Sequence, residues 1–160
     1  MILVLFNIKY SLHLGPSRKE LKKREPIPSD AYKFAIDLDY DNLMIDRDVA
    51  KCIKQCLRIY TINRRSAKPN LLHFTGIKTN GQIHEVLKKN DGWDNWNVKY
   101  HFDKTHTDVF EKDKIVYLTC ESENVLQTLD KECVYIIGGL VDHNHQKGLC
   151  HDRAEKAGIK

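Results

Sequence analysis

The chain has 160 residues, 41% of them hydrophobic and 30% charged, with a net charge of +4. That length suits one domain with a sizeable core and is short for two. No stretch approaches the ~18 apolar residues of a membrane span, and the apolar opening MILVLF lacks the basic start and small-residue cleavage site of a signal peptide, so a soluble protein without membrane partners is expected.

The five cysteines, Cys52, Cys56, Cys120, Cys133 and Cys150, are odd in number and form no CxxC pair. This argues against a disulfide framework and for a reducing compartment. Cys133, His143, His145, Cys150 and His151 fit no zinc spacing, so no metal is assigned. The basic excess is local. Residues 1–25 hold six Lys or Arg against two acids, and the remainder holds twenty of each sign. A run such as Arg18, Lys19, Lys22, Lys23 and Arg24 suits phosphate contact or a solvated arm.

Pro16, Pro26 and Pro28 bracket that run, so residues 1–30 read as a basic leader and linker ahead of a domain over 31–160. An apolar run at 34–38 predicts a strand. Val49, Ile53, Cys56, Leu57 and Tyr60 mark one face of a helix that ends near Arg65. Pro69 closes the connection, 71–74 reads as a second strand, and Asn80-Gly81 opens a helix carrying Ile83, Val86 and Leu87. Turn chemistry at 90–92 precedes a short strand near 98–102, and Trp93 and Trp96 read as core or lid aromatics rather than base-stacking platforms.

Next comes IVYLT at 115–119, a buried strand. Ser122 is placed as the N-cap of a helix bearing Val125, Leu126 and Leu129. Val134, Tyr135, Ile136 and Ile137 form a strand covered on both faces and run into Gly138 and Gly139. A mere tight turn and a backbone edge open to a ligand are both compatible with that pair. Residues 150–157 read as a last helix with Gly158 as its C-cap, and Ile159 and Lys160 fall where a further strand would begin. Strands alternating with helices predict an α/β fold, a parallel sheet with helices on both faces. Ligands of such sheets sit at the carboxyl ends of the strands, which places 119–122 and 138–142 at one mouth.

The run YIIGGLVDHNHQKGL, together with IVYLT and its acidic, Ser-bearing turn, IDLDYDNLM near the start and YTINRR after the first helix, resembles the SPOUT-class tRNA (guanine-9-N1)-methyltransferases. The four blocks keep the family's order and span residues 32–160. The resemblance implies a trefoil-knot α/β fold and S-adenosylmethionine-dependent methylation of N1 of the purine at tRNA position 9. It also implies a monomer, with Asp142 as general base. It places the cofactor against Leu118 and Thr119, against Gly138, Gly139, Leu140 and Val141, and against Lys147, Gly148, Leu149 and Cys150. It turns Asn63, Arg64 and Arg65 toward the tRNA, with Lys22, Lys23 and Arg24 of the leader.

The chemistry constrains the base. A carboxylate near pKa ~3.9 facing a lactam N–H is mismatched by roughly five units, about 7 kcal/mol for complete transfer, so proton removal must be late, concerted or helped by a raised Asp142 pKa. His143 and His145 offer a rival base. A generic nucleotide-binding domain is disfavoured because no GxGxxG or GxxxxGK[ST] follows a strand.

The chain also departs from the family. It lacks the long Lys-rich extension ahead of the domain, and the family continues past the position of Lys160 into a further strand, a cofactor loop and a helix. The 160 residues alone are therefore expected to hold S-adenosylmethionine weakly, and a tRNA-binding fragment without catalysis is the alternative. With no Arg-rich, acid-poor transit segment, the nucleus or cytoplasm is expected over the mitochondrion.

Overall fold

The computed structural model describes residues 16–141 and 146–160. Five strands, β1 (Lys33–Asp37), β2 (Leu71–Ile77), β3 (Lys99–Phe102), β4 (Ile115–Leu118) and β5 (Val134–Gly138), form one sheet in the order β3-β2-β1-β5-β4. Every pairing is parallel, with Ile36 in register with both Phe74 and Ile137. Sequence order reverses at β1, between β2 and β5.

The pleat sorts side chains between two cores. Phe34, Ile36, Leu72, Phe74, Tyr135 and Ile137 face the larger one, with α2 (Asp46–Arg65) and α3 (Gln82–Lys88). Ala35, Val134, Ile136, Ile115 and Tyr117 face the smaller one, which α5 (Leu149–Ala157) enters with Ala154. The α/β expectation is met in type and order. Near β3, Trp96 stacks on Tyr60 at 4.8 Å between ring centroids, and Trp93 meets Tyr100 edge-on, so both indoles pack against the core.

Two local expectations fail. Residues 16–30 are not entirely linker: Arg18–Lys22 form a short helix, α1, closed by a reciprocal capping box between Ser17 and Glu20. Residues 123–130 contain no helix. The Ser122 hydroxyl does accept a backbone N–H, from Asn124, but closes only a local turn. Val125 is 75% exposed and Leu126 and Leu129 also face solvent. Without an apolar surface to pack on, a helix of two turns does not offset its nucleation cost. Changing Val125 to Asp is accordingly expected to shift the unfolding free energy by less than about 0.5 kcal/mol in urea titration, whereas a loss above about 1 kcal/mol would show that Val125 is buried.

On the smaller-core face of β2 and β3, the His73 and His101 rings lie almost parallel with centroids 5.3 Å apart and Nδ1 of His73 3.0 Å from Nε2 of His101. Burial, then His101, Lys99 and Lys33, push the His73 imidazole down to about 4. A histidine depressed in this way takes up its proton in the unfolded chain first. Stability is therefore expected to be flat above about pH 6.5 and to fall between there and about 4, by roughly 3 kcal/mol. Urea midpoints at pH 7.5 and 5 test this, and His73→Phe should flatten the slope.

Past α5, the Lys160 carbonyl accepts the Tyr117 N–H at 2.7 Å, so the last residue lies against the edge of β4. No helix among the described residues is long and apolar enough to cross a membrane.

Candidate functional site

Parallel pairing brings the carboxyl ends of β1, β5 and β4 side by side, and the connections leaving them converge there. Asp37 closes β1, opposite Gly138 of β5, and its side chain is fully buried. Tyr117 reaches it from β4 across the intervening strand, donating from Oη to Asp37 Oδ2 at 2.9 Å. Arg153 of α5 adds Nη1 at 3.2 Å to the same oxygen and Nη2 at 3.0 Å to the Asp39 carbonyl, while its guanidinium lies 4.1 Å from the Tyr40 ring centroid. The Tyr40 and Tyr117 hydroxyls are 2.7 Å apart, and Tyr40 Oη is 3.6 Å from Cys150 Sγ.

His106 opens α4 (His106–Val109), and its Nδ1 stands 3.6 Å from Asp37 Oδ2. That distance permits charge attraction but is too long for a hydrogen bond, and neither ring nitrogen has a hydrogen-bond partner among the described residues. Burial raises the Asp37 carboxyl, but His106, Arg153 and Tyr117 together outweigh it and hold the group below the usual carboxylate range. Burial and the Asp37 charge push both tyrosines up, so they stay protonated and donate.

Gly138 has its explanation here. A Cβ at that position would lie 2.6 Å from Cys150 Sγ, 3.4 Å from Tyr117 Oη and 3.5 Å from Tyr40 Oη. The missing side chain thus makes room for the chain's own hydroxyl and thiol groups. The three carboxylates of the early IDLDYD block also separate into roles. Asp37 is the buried hub, Asp39 lies between Lys78 at 3.6 Å and Arg153 at 3.5 Å, and Asp41 caps α3 by accepting the Ile83 N–H.

The predicted cofactor segments meet at this mouth. Leu118 is in register with Ile137, so Thr119 and Gly138 leave neighbouring strands. The Glu121 carboxyl is lowered chiefly by Thr119, and more weakly by Cys120 and the Gly148 backbone, which ties the turn after β4 to the entry of α5. Leu118, Leu140, Val141, Leu149 and Cys150 are half-buried around it, Lys147 is exposed, and Gly148 takes a left-handed φ of 78° ahead of α5. Asp142, His143 and His145 fall outside the described residues.

The predicted RNA-facing residues lie elsewhere. α2 leaves the carboxyl end of β1 and runs back across the sheet, so Arg64 and Arg65 sit roughly 30 Å from its start. Both are exposed and, with Pro16, Leu21 and Thr61, line a cleft of about 160 Å³ under the leader. Arg24 donates to the Arg64 and Ser66 carbonyls at 3.1 and 2.6 Å, capping the helix end, and Lys23 is exposed beside it. Lys22 ends α1. Asn63 does not face outward. It is 4% exposed and exchanges two hydrogen bonds with the Asn70 backbone, fixing the turn into β2.

The described members of the imagined metal set do not converge, because Cys133 precedes β5 and Cys150 follows it. His151, Asp152 and Glu155 bring ligand atoms within 4.8 Å of one another, but Asp152 and Glu155 are exposed, a grouping common without an ion.

A parallel sheet whose β4, β5 and α5 connections meet at one mouth makes this an α/β domain with its candidate site at the strand ends, and comparison with known proteins narrows it. The structure titled spTrm10 (full length) in complex with SAH superposes with a TM-score of 0.74 at 31% identity, over 86% of this chain and 77% of that one. The family described as tRNA (guanine(9)-N(1))-methyltransferase TRM10/TRM10A matches residues 7–160, and the chain belongs to it. It is 64% identical over 147 residues to the Drosophila melanogaster tRNA (guanine(9)-N(1))-methyltransferase Trmt10A, covering 91% of this chain and 46% of the relative. It is 30% identical over 158 residues to the Schizosaccharomyces pombe tRNA (guanine(9)-N1)-methyltransferase, covering 95% and 52%. The chain thus spans about half the length of these relatives.

Proposed function

We propose that the protein methylates N1 of guanine 9 in tRNA, with S-adenosylmethionine as methyl donor. The observation that carries this reading is the convergence of 118–121, 138–141 and 147–150 at the carboxyl ends of β4 and β5, in a chain of the TRM10 family. The residues fit the cofactor. Leu118, Leu140, Val141 and Leu149 offer half-buried apolar walls for an adenine ring. When bound, the cofactor supplies an electrophilic methyl group on a sulfonium.

The chain's own part is to align and to manage one proton. Asp142, the next residue in the chain after Val141, takes the N1 proton as the nitrogen is alkylated. Lys23, Arg64 and Arg65 meet phosphates on a folded RNA long enough to reach from the far end of α2 to the mouth, and the protein acts as one copy because all three loops belong to one chain. Phosphate contacts make tRNA binding weaken steeply with salt.

Asp142→Asn tests the assignment in single-turnover methyl transfer from labelled S-adenosylmethionine to unmodified tRNA. Loss of at least about 100-fold is expected, and unchanged turnover would pass the role to His143 or His145. A gel shift without label from the wild type would support a tRNA-binding unit instead.

A further inference from the structure

We infer that Cys52 and Met44 are positioning residues for methyl transfer, two sulfur groups that hold the 139–141 segment immediately preceding Asp142 in the chain; the inference rests on the methyltransferase reading. Beyond β5, Gly139 and Val141 are tied down by three hydrogen bonds from three different parts of the chain. The Gly139 N–H donates to the Asp37 carbonyl of β1 at 2.7 Å. The Cys52 thiol, on α2, donates to the Gly139 carbonyl at 3.0 Å. Met44 Sδ, just before α2, accepts the Val141 N–H at 3.4 Å. Both sulfur residues are buried, Cys52 at 2% and Met44 at 5% exposed.

A hydrophobic side chain of similar size would fill either place but would leave a buried carbonyl or amide unmet. Thiol and thioether are weak partners, so they hold the loop while letting it yield as substrate enters. Cys56, one turn further along α2, hydrogen-bonds Cys52, and its own thiol is pushed well up by that contact and by burial. Cys56 thus stays protonated, and the Cys52 thiol is directed at the loop. Asp142 follows Val141 in the chain, so the anchor on the Val141 amide holds the backbone one residue ahead of the base. Misplacing a catalytic group by about 1 Å costs on the order of 100-fold in rate.

The test uses the full-length protein with unmodified tRNA. Cys52→Ala should lower kcat about tenfold while KM for tRNA and for S-adenosylmethionine stays within about twofold, and Cys52→Ser, which restores a donor, should recover to within about threefold of wild type. Met44→Leu keeps the volume and removes the acceptor, and should speed hydrogen exchange of the Val141 amide about tenfold at an unchanged melting temperature. Serine no better than alanine, or Val141 exchange unmoved in Met44→Leu, overturns the inference. Should the wild type transfer no methyl group, the proposed function fails and the positioning role in transfer fails with it, while the exchange measurement still decides whether the sulfur groups anchor the loop.

Discussion

Asp37→Ala is expected to cost about 3 kcal/mol of stability, read as a lower urea midpoint with an unchanged slope. Asp37 is fully buried, and one of its oxygens serves both Tyr117 and Arg153. Removing the carboxylate takes the buried charged acceptor from the Tyr117 hydroxyl, leaving it only Tyr40, and leaves the Arg153 guanidinium only Asp39, a costlier outcome than losing a surface pair. Asp37→Asn keeps an acceptor for Tyr117 and should cost less.

The same group sets an acid limit. Its carboxyl sits below the usual carboxylate range in the folded state. The stabilisation is therefore complete above about pH 4, where the unfolded group is ionised, and is lost as the pH falls through the lower folded value. In Asp37→Asn that part of the acid-side decline should disappear. An alanine variant as stable as wild type would remove the hub from this description.

Gly139→Ala is the second large effect. The added Cβ would lie 2.6 Å from Leu38 Cδ2, 2.7 Å from the Asp37 carbonyl and 3.2 Å from Ile36 Cγ2. The carbonyl belongs to a central strand bonded on both sides and cannot retreat, so the loop must move instead. A stability loss of about 2 kcal/mol is expected, with loss of both the Asp37 bond to the Gly139 amide and the Cys52 bond to its carbonyl. Methyl transfer should fall about 100-fold, because the segment that leads into Asp142 is displaced. Gly139→Ala matching wild type in both melting and turnover would show that the 138–141 backbone is not held as described.

Sequence sufficed where one element carries its own signal. Apolar runs marked β1 and β5, which are buried on both faces, and the edge strand β4, buried at Ile115 and Tyr117 and half-buried at Val116 and Leu118, while the 3.6-residue spacing of Val49, Ile53, Cys56 and Tyr60 marked α2. The same reasoning misplaced a helix at 123–129, because the spacing of Val125, Leu126 and Leu129 says nothing about whether a surface waits for them. The family resemblance turned Asn63 toward the tRNA, whereas the structure buries it against the Asn70 backbone, a commitment that belongs to the turn and leaves no mark on composition.

The site was half legible. The loops at 118–119, 138–141 and 147–150 were identified by resemblance and do meet at one mouth. The Asp37 hub was missed, because its partners Tyr117 and Arg153 lie 80 and 116 residues away. An acid inside an otherwise apolar strand, IDL, was the available signal, since a buried carboxylate requires partners. Gly138 was identified, but for a different reason: its missing Cβ admits Cys150 and the two tyrosine hydroxyls.

The most direct test is methyl transfer from labelled S-adenosylmethionine to an unmodified tRNA by the full-length protein, with the modified base mapped. The expected result is label on N1 of guanine 9 in wild type and a loss of at least about 100-fold in Asp142→Asn. Label at another nucleotide, or none with the tRNA bound, would contradict the proposed function.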